Sequence, residues 1–551
     1  MNYLQKFCRT RKIFFPHLEQ TLSRGQRTQR LASQYQRRQP NTLVKERLQD
    51  LKAQFFQNRD KLSNEEWQNT RETLIRTFKH INESNVDATI MGICNDVDQF
   101  SLATNYVAFL RKIGLEPNIS TLGRLLKGYY MEYKTADVDE LGAEEQREIM
   151  EICASIKKKH DILDAQTCEY LIQGLVTTDN WIDGLGLIEM TRLTTTPSSI
   201  AYNVLTMKAF RMGNLEIGWK LLNEMIENGK QPKCEVIETY LKTMASGDDQ
   251  NFLSKFEMLL EFLEKHELLI TEKVSQNICD LSKKYSHLMK VNRSTLSFAG
   301  KCHSCSTYLR SVTITDIEFA QLSNSFLNKV LIRNDVFQKS TPEEVDNFKR
   351  YVTETGPYDC VIDGLNVAYS MGVKSPRILA TLLADVVDYF CKKNKRVLVL
   401  GRKHMAKWPK DTMQFLRKNA CIFLTNDLSH DDPFLLYATL KSGKSTDFFS
   451  RDFMRSHGYL LGSELKRIFR RWQQQHQYSL LTKTHTGRIL VKEPVRHLIY
   501  THKINTTWHI PITAEYSAIP AESFEVPKSW LCLKFQNINE RETKTRVEDG
   551  Q

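Results

Sequence analysis

Between about residues 85 and 295, apolar positions recur at helical spacing and strand signals are scarce. The pattern repeats at a period near 35. Pro197 and Pro232 stand 35 residues apart. Each precedes an apolar-periodic run, Ile200-Ala201-Tyr202-Asn203-Val204-Leu205 and Val236-Ile237-Glu238-Thr239-Tyr240-Leu241. Glu169, in Thr167-Cys168-Glu169-Tyr170-Leu171-Ile172, lies 34 residues before Asn203. A further copy starts after Pro117, at Ser120-Thr121-Leu122-Gly123. Second helices follow, as at 215–228, where Gly229 suits a helix C-cap. Repetition at this period predicts helix pairs stacked into an array.

The pattern changes over 356–475. Short apolar runs at Asp359–Asp363, Arg396–Leu400, Cys421–Leu424 and Thr446–Phe449 read as buried strands. Helical patterns at about 376–394 and 410–418, and from Asp432 onward, separate them. Alternation of this kind predicts a parallel sheet with helices on both faces. Functional residues are then expected beyond the carboxyl ends of the strands.

Composition adds modest constraints. The 551 residues are 41% hydrophobic and 26% charged, as in ordinary folded domains, and the length suits about three of them. No run of about 18 apolar residues exists to cross a membrane as a helix, and no membrane partner is expected. The net charge is +12, but residues 1–40 hold nine basic residues against one acid, Glu19, and so carry +8 of it. Any electrostatic footprint for nucleic acid must therefore be local. The same forty residues are rich in Arg, Ser, Thr and Gln, with Leu4, Phe7, Ile13, Phe14 and Leu18 near helical spacing. This is the profile of a transit peptide to the mitochondrial matrix, although a basic RNA-touching arm has similar composition.

Of twelve cysteines, only Cys302 and Cys305 form a close pair. That excludes a disulfide framework and leaves half of a thiolate metal site. Candidates to complete it lie far downstream, at His509 and Cys532, with His303 and His502 as rivals. A structural zinc on Cys302, Cys305, His509 and Cys532 would tie together the chain on either side of 306–508. Reduced cysteines beside a surface histidine are the alternative.

Several acids fall at predicted strand ends. Asp363 closes the first strand, Asp427, Asp431 and Asp432 follow the third, and Asp452 follows the fourth. One such acid is commonly a helix cap, and Asp432 before Pro433 fits that role. Several converging on one crevice repel each other unless cations intervene. Oxygen-only donors suit Mg²⁺ or Mn²⁺, and two such ions can drive in-line phosphodiester cleavage. No phosphate-binding Gly-Lys-Ser/Thr loop follows the first strand, which argues against a nucleoside triphosphatase. Arg451, Arg455 and His457 flank the last acid and are candidates to hold phosphate, as is the loop Arg402-Lys403-His404. Lys407 and Lys410 read as solvated surface charges.

Two resemblances follow. The array is similar to the pentatricopeptide repeat family, in which one helix per repeat lines an RNA-binding face. That register implies base-reading positions at Gly123, Glu169, Asn203 and Glu238. Helical repeats that bind protein share the same pattern. The segments Val361-Ile362-Asp363-Gly364-Leu365-Asn366-Val367-Ala368, Ser429-His430-Asp431-Asp432-Pro433-Phe434-Leu435-Leu436-Tyr437-Ala438 and Arg451-Asp452-Phe453-Met454-Arg455-Ser456-His457 closely resemble the metallonuclease of protein-only ribonuclease P.

The resemblance covers about 85–540, including the split zinc motif. It implies a multidomain α plus α/β chain: an α-helical pentatricopeptide-repeat array at 85–295, a central zinc-binding module split over 296–355 and 495–540, and a C-terminal α/β NYN/PIN-like metallonuclease domain at 356–494. It implies Asp363, Asp431, Asp432 and Asp452 as ligands of two Mg²⁺ or Mn²⁺ ions, Asn366 and His457 as site-lining residues, and one structural Zn²⁺. The implied activity removes the 5′ leader of precursor tRNA, leaving a 5′-phosphate on the tRNA and a 3′-hydroxyl on the leader. With the Arg-rich first forty residues, it extends to the animal mitochondrial form, which implies a tRNA methyltransferase and a short-chain dehydrogenase as helpers. In a helper-dependent form, Arg451 or Lys444 would neutralise the acids of the isolated chain. A non-catalytic mitochondrial RNA-binding factor and a PIN-like ribonuclease acting on other RNAs are the competing functions.

Overall fold

The computed structural model describes residues 56, 59–96, 100–136, 141–244, 248–327, 340–426, 432–452, 454, 461–513 and 526–536. The transit-peptide reading of 1–40 lies outside the described residues. The chain divides into two compact units, 1–224 and 225–551. The stretch read as one helical array is thus shared between them.

The first unit is helical. Its elements are α1 (Asn64–Thr77), α2 (Val86–Asp96), α3 (Phe100–Lys112), α4 (Ile119–Ala136), α5 (Ala143–Lys159), α6 (Ala165–Leu175), α7 (Asp183–Arg192) and α8 (Ser199–Arg211). Helix α9 (Leu215–Glu227) follows. Local chemistry sets the starts: Asp164 caps α6 and Ser198 caps α8, each accepting backbone N–H groups. Helix α4 packs on α2 and α6, and α6 on α7 and α8, as a stack of antiparallel pairs requires.

The second unit begins with more helix, α10 (Cys234–Met244) and α11 (Asp249–Lys265). Strand β1 (Ile270–Thr271), helix α12 (Glu272–Lys284) and strand β2 (Met289–Ser294) come next. Here the helical reading to residue 295 needs correction. Strand β2 pairs antiparallel with β11 (Ser529–Phe535), and β1 pairs parallel with β10 (Thr507–Thr513). Only the two ends of β2, Met289 and Ser294, are buried, so it lacks the alternation that marks a strand in sequence. The sheet runs β1-β10-β11-β2, with β9 (His502–Ile504) also on β10.

The other sheet is the predicted α/β domain. Strands β3 (Cys360–Asp363), β4 (Val397–Arg402), β5 (Cys421–Thr425) and β6 (Asp447–Phe449) pair in parallel, in the order β5-β4-β3-β6. Strand β7 (Gln477–Lys483) extends the parallel run, and β8 (Ile489–Lys492) closes it antiparallel. Sequence reasoning stopped at β6 and missed these two.

Alternate residues feed two cores. Val361, Leu398, Leu400 and Phe448 enter one, packed by α13 (Asp316–Ser325), α14 (Pro342–Thr355), α18 (Asp432–Ser442) and α19 (Ser463–His476). Cys360, Ile362, Val399 and Phe449 enter the other, under α15 (Gly364–Tyr369), α16 (Pro376–Cys391) and α17 (Lys410–Asn419). Period-two alternation with both faces buried gives the continuous apolar runs seen in the sequence. Helices α13 and α14 join the nuclease-type core, although the split at 355/356 assigned them to the metal module.

Chain reversal at Gly364 brings α15 against β4. A Cβ there would lie 2.6 Å from the Leu400 carbonyl oxygen, a backbone atom that cannot swing away. Gly364→Ala is therefore expected to cost about 1–3 kcal/mol, seen as a lower denaturation midpoint. An unchanged midpoint would mean the β3–β4 spacing yields freely.

Candidate active site and metal centre

The metal donors are assembled by strand register. His509 on β10 sits directly opposite Cys532 on β11, so their side chains share one face of the sheet. Cys532 in turn faces Asn292 on β2. The chain leaving β2 folds into a tight hairpin in which Leu296 bridges Cys302 and Lys301 bridges Tyr308. That hairpin delivers both hairpin cysteines. The donor atoms of Cys302, Cys305, His509 and Cys532 all lie within 4.8 Å of one another. A tetrahedral ion with bonds of about 2.3 Å needs donors about 3.8 Å apart, so the set fits one four-coordinate metal.

Protonation chemistry agrees with ligation. Burial drives the His509 imidazole down to about 4, so it is neutral with a lone pair to give. Its Nε2 lies 3.2 Å from the Cys305 sulfur. Burial raises the Cys302 thiol, but the Ser294 hydroxyl and the backbone N–H groups of Cys305 and Ser304 outweigh it and leave it below its ordinary value. Burial, then the neighbouring Cys302 and Cys305, push Cys532 up to about 12. Three thiols at such range cannot all ionise without a cation among them. Of the rivals, His303 is exposed and bonds Thr295. His502 is buried on β9 beside His509, with Nδ1 on the Tyr500 carbonyl.

The acids lie at the other sheet. Asp363 ends β3, next to β6 in parallel register, with Ile362 opposite Phe449. Asp452 follows three residues beyond β6, and Asp432 opens α18, which packs on β3. All three thus stand at the carboxyl edge that the topology favours. Asp431, Asp427, Arg455 and His457 lie outside the described residues. Among the described residues, only the cysteine–histidine set gathers three or more donors within 4.8 Å, so the three acids share an edge without converging that far.

Hydrogen bonds hold this edge. One carboxylate oxygen of Asp363 caps α15 by accepting the Asn366 N–H at 3.0 Å, so the strand-end acid is also a helix cap. The Asn366 side-chain oxygen accepts the Arg451 N–H at 2.8 Å, and Arg451 donates to the Ser370 carbonyl. Asp452 closes a turn on the Met454 N–H at 2.7 Å. Gln477, a residue sequence reasoning did not single out, donates to the carbonyls of both Ser450 and Asp452. Its position at the start of unpredicted β7 hid that role. Lys444 pairs with Asp316 and Arg451 donates to the Ser370 carbonyl, so among the described residues neither is paired with the acids of the edge. Asp447 begins β6 at the opposite end and pairs with His476.

The array positions are placed differently from a base-reading register. Gly123 is buried, and a Cβ there would come 2.5 Å from the Tyr170 ring. Asn203 is buried and donates to the Ser199 carbonyl. Glu238 is buried and paired with Lys273 at 2.7 Å. Glu169 is half-buried and accepts from Gln166.

Comparison with known proteins adds the decisive observation. The family model described as protein-only RNase P matches residues 296–532, which span both the metal centre and the acid edge. A protein of Rattus norvegicus named mitochondrial ribonuclease P catalytic subunit is 31% identical over 399 residues, covering 70% of this chain and 66% of that protein. Residues 296–532 belong to the protein-only ribonuclease P family.

Proteinaceous RNase P 1 of Arabidopsis thaliana is 25% identical over 256 residues, covering 44% of the chain and 41% of that protein. The crystal structure of nuclear proteinaceous RNase P 2 from the same plant superposes with a TM-score of 0.56 at 17% identity. It covers 83% of this chain and all of that one, so the fold is shared. The chain spans just under two thirds of the length of the rat protein. The protein-only RNase P fold thus joins a split metal module to an acid-edged sheet.

The four donors predict one firmly held metal ion per chain. Cys532→Ser is expected to abolish its retention in elemental analysis and to lower the melting temperature. Equal metal content in wild type and variant would exclude Cys532 as a ligand.

Proposed function

We propose that this chain is an endoribonuclease that removes the 5′ leader of mitochondrial precursor tRNA by phosphodiester hydrolysis. The observation that carries this reading is the placing of Asp363, Asp432 and Asp452 at one carboxyl edge, within the segment matched by the protein-only RNase P model. The name of the rat relative supports the same reading.

Asp363, Asp431, Asp432 and Asp452 would hold two Mg²⁺ or Mn²⁺ ions. Such ions, when bound, supply an activated water and neutralise charge on the leaving oxygen. Asp363, held in place by its cap on α15, would turn its carboxylate to these ions. Asn366 fixes the backbone of Arg451, which places an exposed guanidinium beside the edge, where it meets phosphate. Arg455 and His457, which follow in the sequence, would also meet phosphate. Gln477 is a positioning residue, since it holds the Ser450–Asp452 segment without itself facing the phosphate.

The cysteine–histidine centre holds Zn²⁺ in a structural role, because protein donors fill all four positions. The repeat helices grip the folded body of the tRNA, with Glu169 the base-facing candidate that retains partial exposure. Residues 1–40 direct the chain to the mitochondrial matrix. A tRNA methyltransferase and a short-chain dehydrogenase act as helper subunits.

The test uses the full chain, with and without those two helpers, on a mitochondrial precursor tRNA with Mg²⁺. One cut at the mature 5′ end is expected, and Asp363→Asn is expected to slow it more than about a hundredfold while RNA binding persists. Full activity of a folded Asp363→Asn protein would remove that acid from the mechanism. Binding without any cut would favour a non-catalytic RNA-binding factor.

A further inference from the structure

A concavity opens beside the edge that carries the acids. It encloses about 370 Å³ between the turn joining α15 to α16 and the end of β7. Clefts of about 300–1,000 Å³ are the size that holds small organic ligands. Met371, Val373, Ile378 and Leu382 form its apolar walls, and Arg377 and Lys483 its cationic rim. No acid lines it. Lys483 is paired with Asp385, whereas Arg377 has no acidic partner among the described residues, so the rim carries a net positive charge.

Two of its wall residues are unusually open to water for apolar side chains. Ile378 is 51% exposed and Met371 40%, and Tyr369 at the adjoining end of α15 is 46% exposed. Apolar surface of this kind beside a cation suits a base, whose faces are apolar and whose phosphate is anionic.

Placement narrows the occupant. Register carries Lys483 past the carboxyl end of β6, because β7 runs parallel to β6 from Gln477 onward. Helix α15 links Asp363 to the pocket directly, and six residues of helix rise about 9 Å. The Arg451 guanidinium bonds the Ser370 carbonyl, next to Met371. The cleft is therefore a short stretch of strand away from the acids. On the mature side of the cut, the bases of a tRNA acceptor stem are paired, with their faces hidden in the stack. The 5′ leader is unpaired and offers its faces freely.

We propose that this cleft binds an unpaired nucleotide of the 5′ leader, with the base against Met371 and Ile378 and a phosphate on Arg377. This inference rests on the reading of the chain as a leader-removing nuclease. It assigns these residues to substrate selection, through preference for precursor over mature tRNA.

The test compares binding of the full chain to precursor tRNA, mature tRNA, and mature tRNA extended only at its 3′ end, without divalent ions. The wild-type chain is expected to prefer the precursor. Ile378→Asp combined with Arg377→Glu is expected to reduce that preference about tenfold, the scale of one stacked base. A 4-thiouridine in the leader is expected to crosslink on irradiation within residues 369–382. Both substituted side chains are exposed, and taking a ratio cancels a general loss of folding. A preference unchanged by the double substitution would overturn the pocket. So would a crosslink elsewhere, or a preference that tracks the 3′ extension. If the wild-type chain, tested with its helpers, leaves the leader in place, the nuclease reading fails first and the pocket with it. Leader removal with an unaltered preference in the variant defeats the pocket alone.

Discussion

The second unit depends on one long-range closure. The register that sets Cys532 between His509 and Asn292 joins β2 to two strands from the far end of the chain. The Cys305–His509 contact spans 204 residues of sequence. Closing so long a loop is entropically costly, though the cost grows only slowly with length. A metal ion on four protein donors can offset that cost, because binding energy at a site absent from the unfolded chain is folding energy. The whole α/β domain lies within the closed loop, so its two ends are anchored at one place.

Inside that loop, the parallel sheet sets the chemistry. Its central strands β3 and β4 are buried on both faces, so polar residues are excluded from their length and appear where they end. Asp363 and Asp452 come from neighbouring strands, and Asp432 from the helix packed on them. Such side chains sit on backbone that the core has already fixed. Asn366 and Gln477 add the finer restraint, because each ties one acid-bearing segment to an adjacent element. Precise placement of charged groups needs this kind of support, since carboxylates left to themselves move apart.

Much of this was legible, for identifiable reasons. Apolar runs such as Val361-Ile362 and Val397–Leu400 announced β3 and β4 because both faces are buried. The CxxC pair announced half a metal site, since thiolates at that spacing have few other uses. What escaped has physical causes as well. Strand β2 buries only its ends, so Lys290–Arg293 carries no strand signal. Strands β7 and β8 are only partly buried, and their residues mix polar and apolar without clean alternation. In the helical layers, helices contact neighbours on more than one side. Period alone then cannot separate the face that packs from the face that binds. Asn203 and Glu238 fall on the packed side, and their polar atoms are satisfied internally.

Charge ties the edge and the cleft together. Carboxylates gathered for metal ions repel the phosphates of the RNA they act on. Away from residues 1–40, the body of the chain carries only a small positive excess, so attraction cannot come from a broad field. It must come from cations set close beside the acids but not neutralised by them. Arg451 meets that condition among the described residues, where it bonds Asn366 and the Ser370 carbonyl and has no acidic partner. Arg377 meets it differently, by standing across the α15 turn from Asp363 beside an apolar wall. Each extra cation on that side lowers the repulsion an incoming strand feels, and the apolar wall adds attraction that salt does not screen. An acid-lined nuclease edge thus needs a neighbouring surface of the opposite kind, and here the same helix turn that positions the acid also builds that surface.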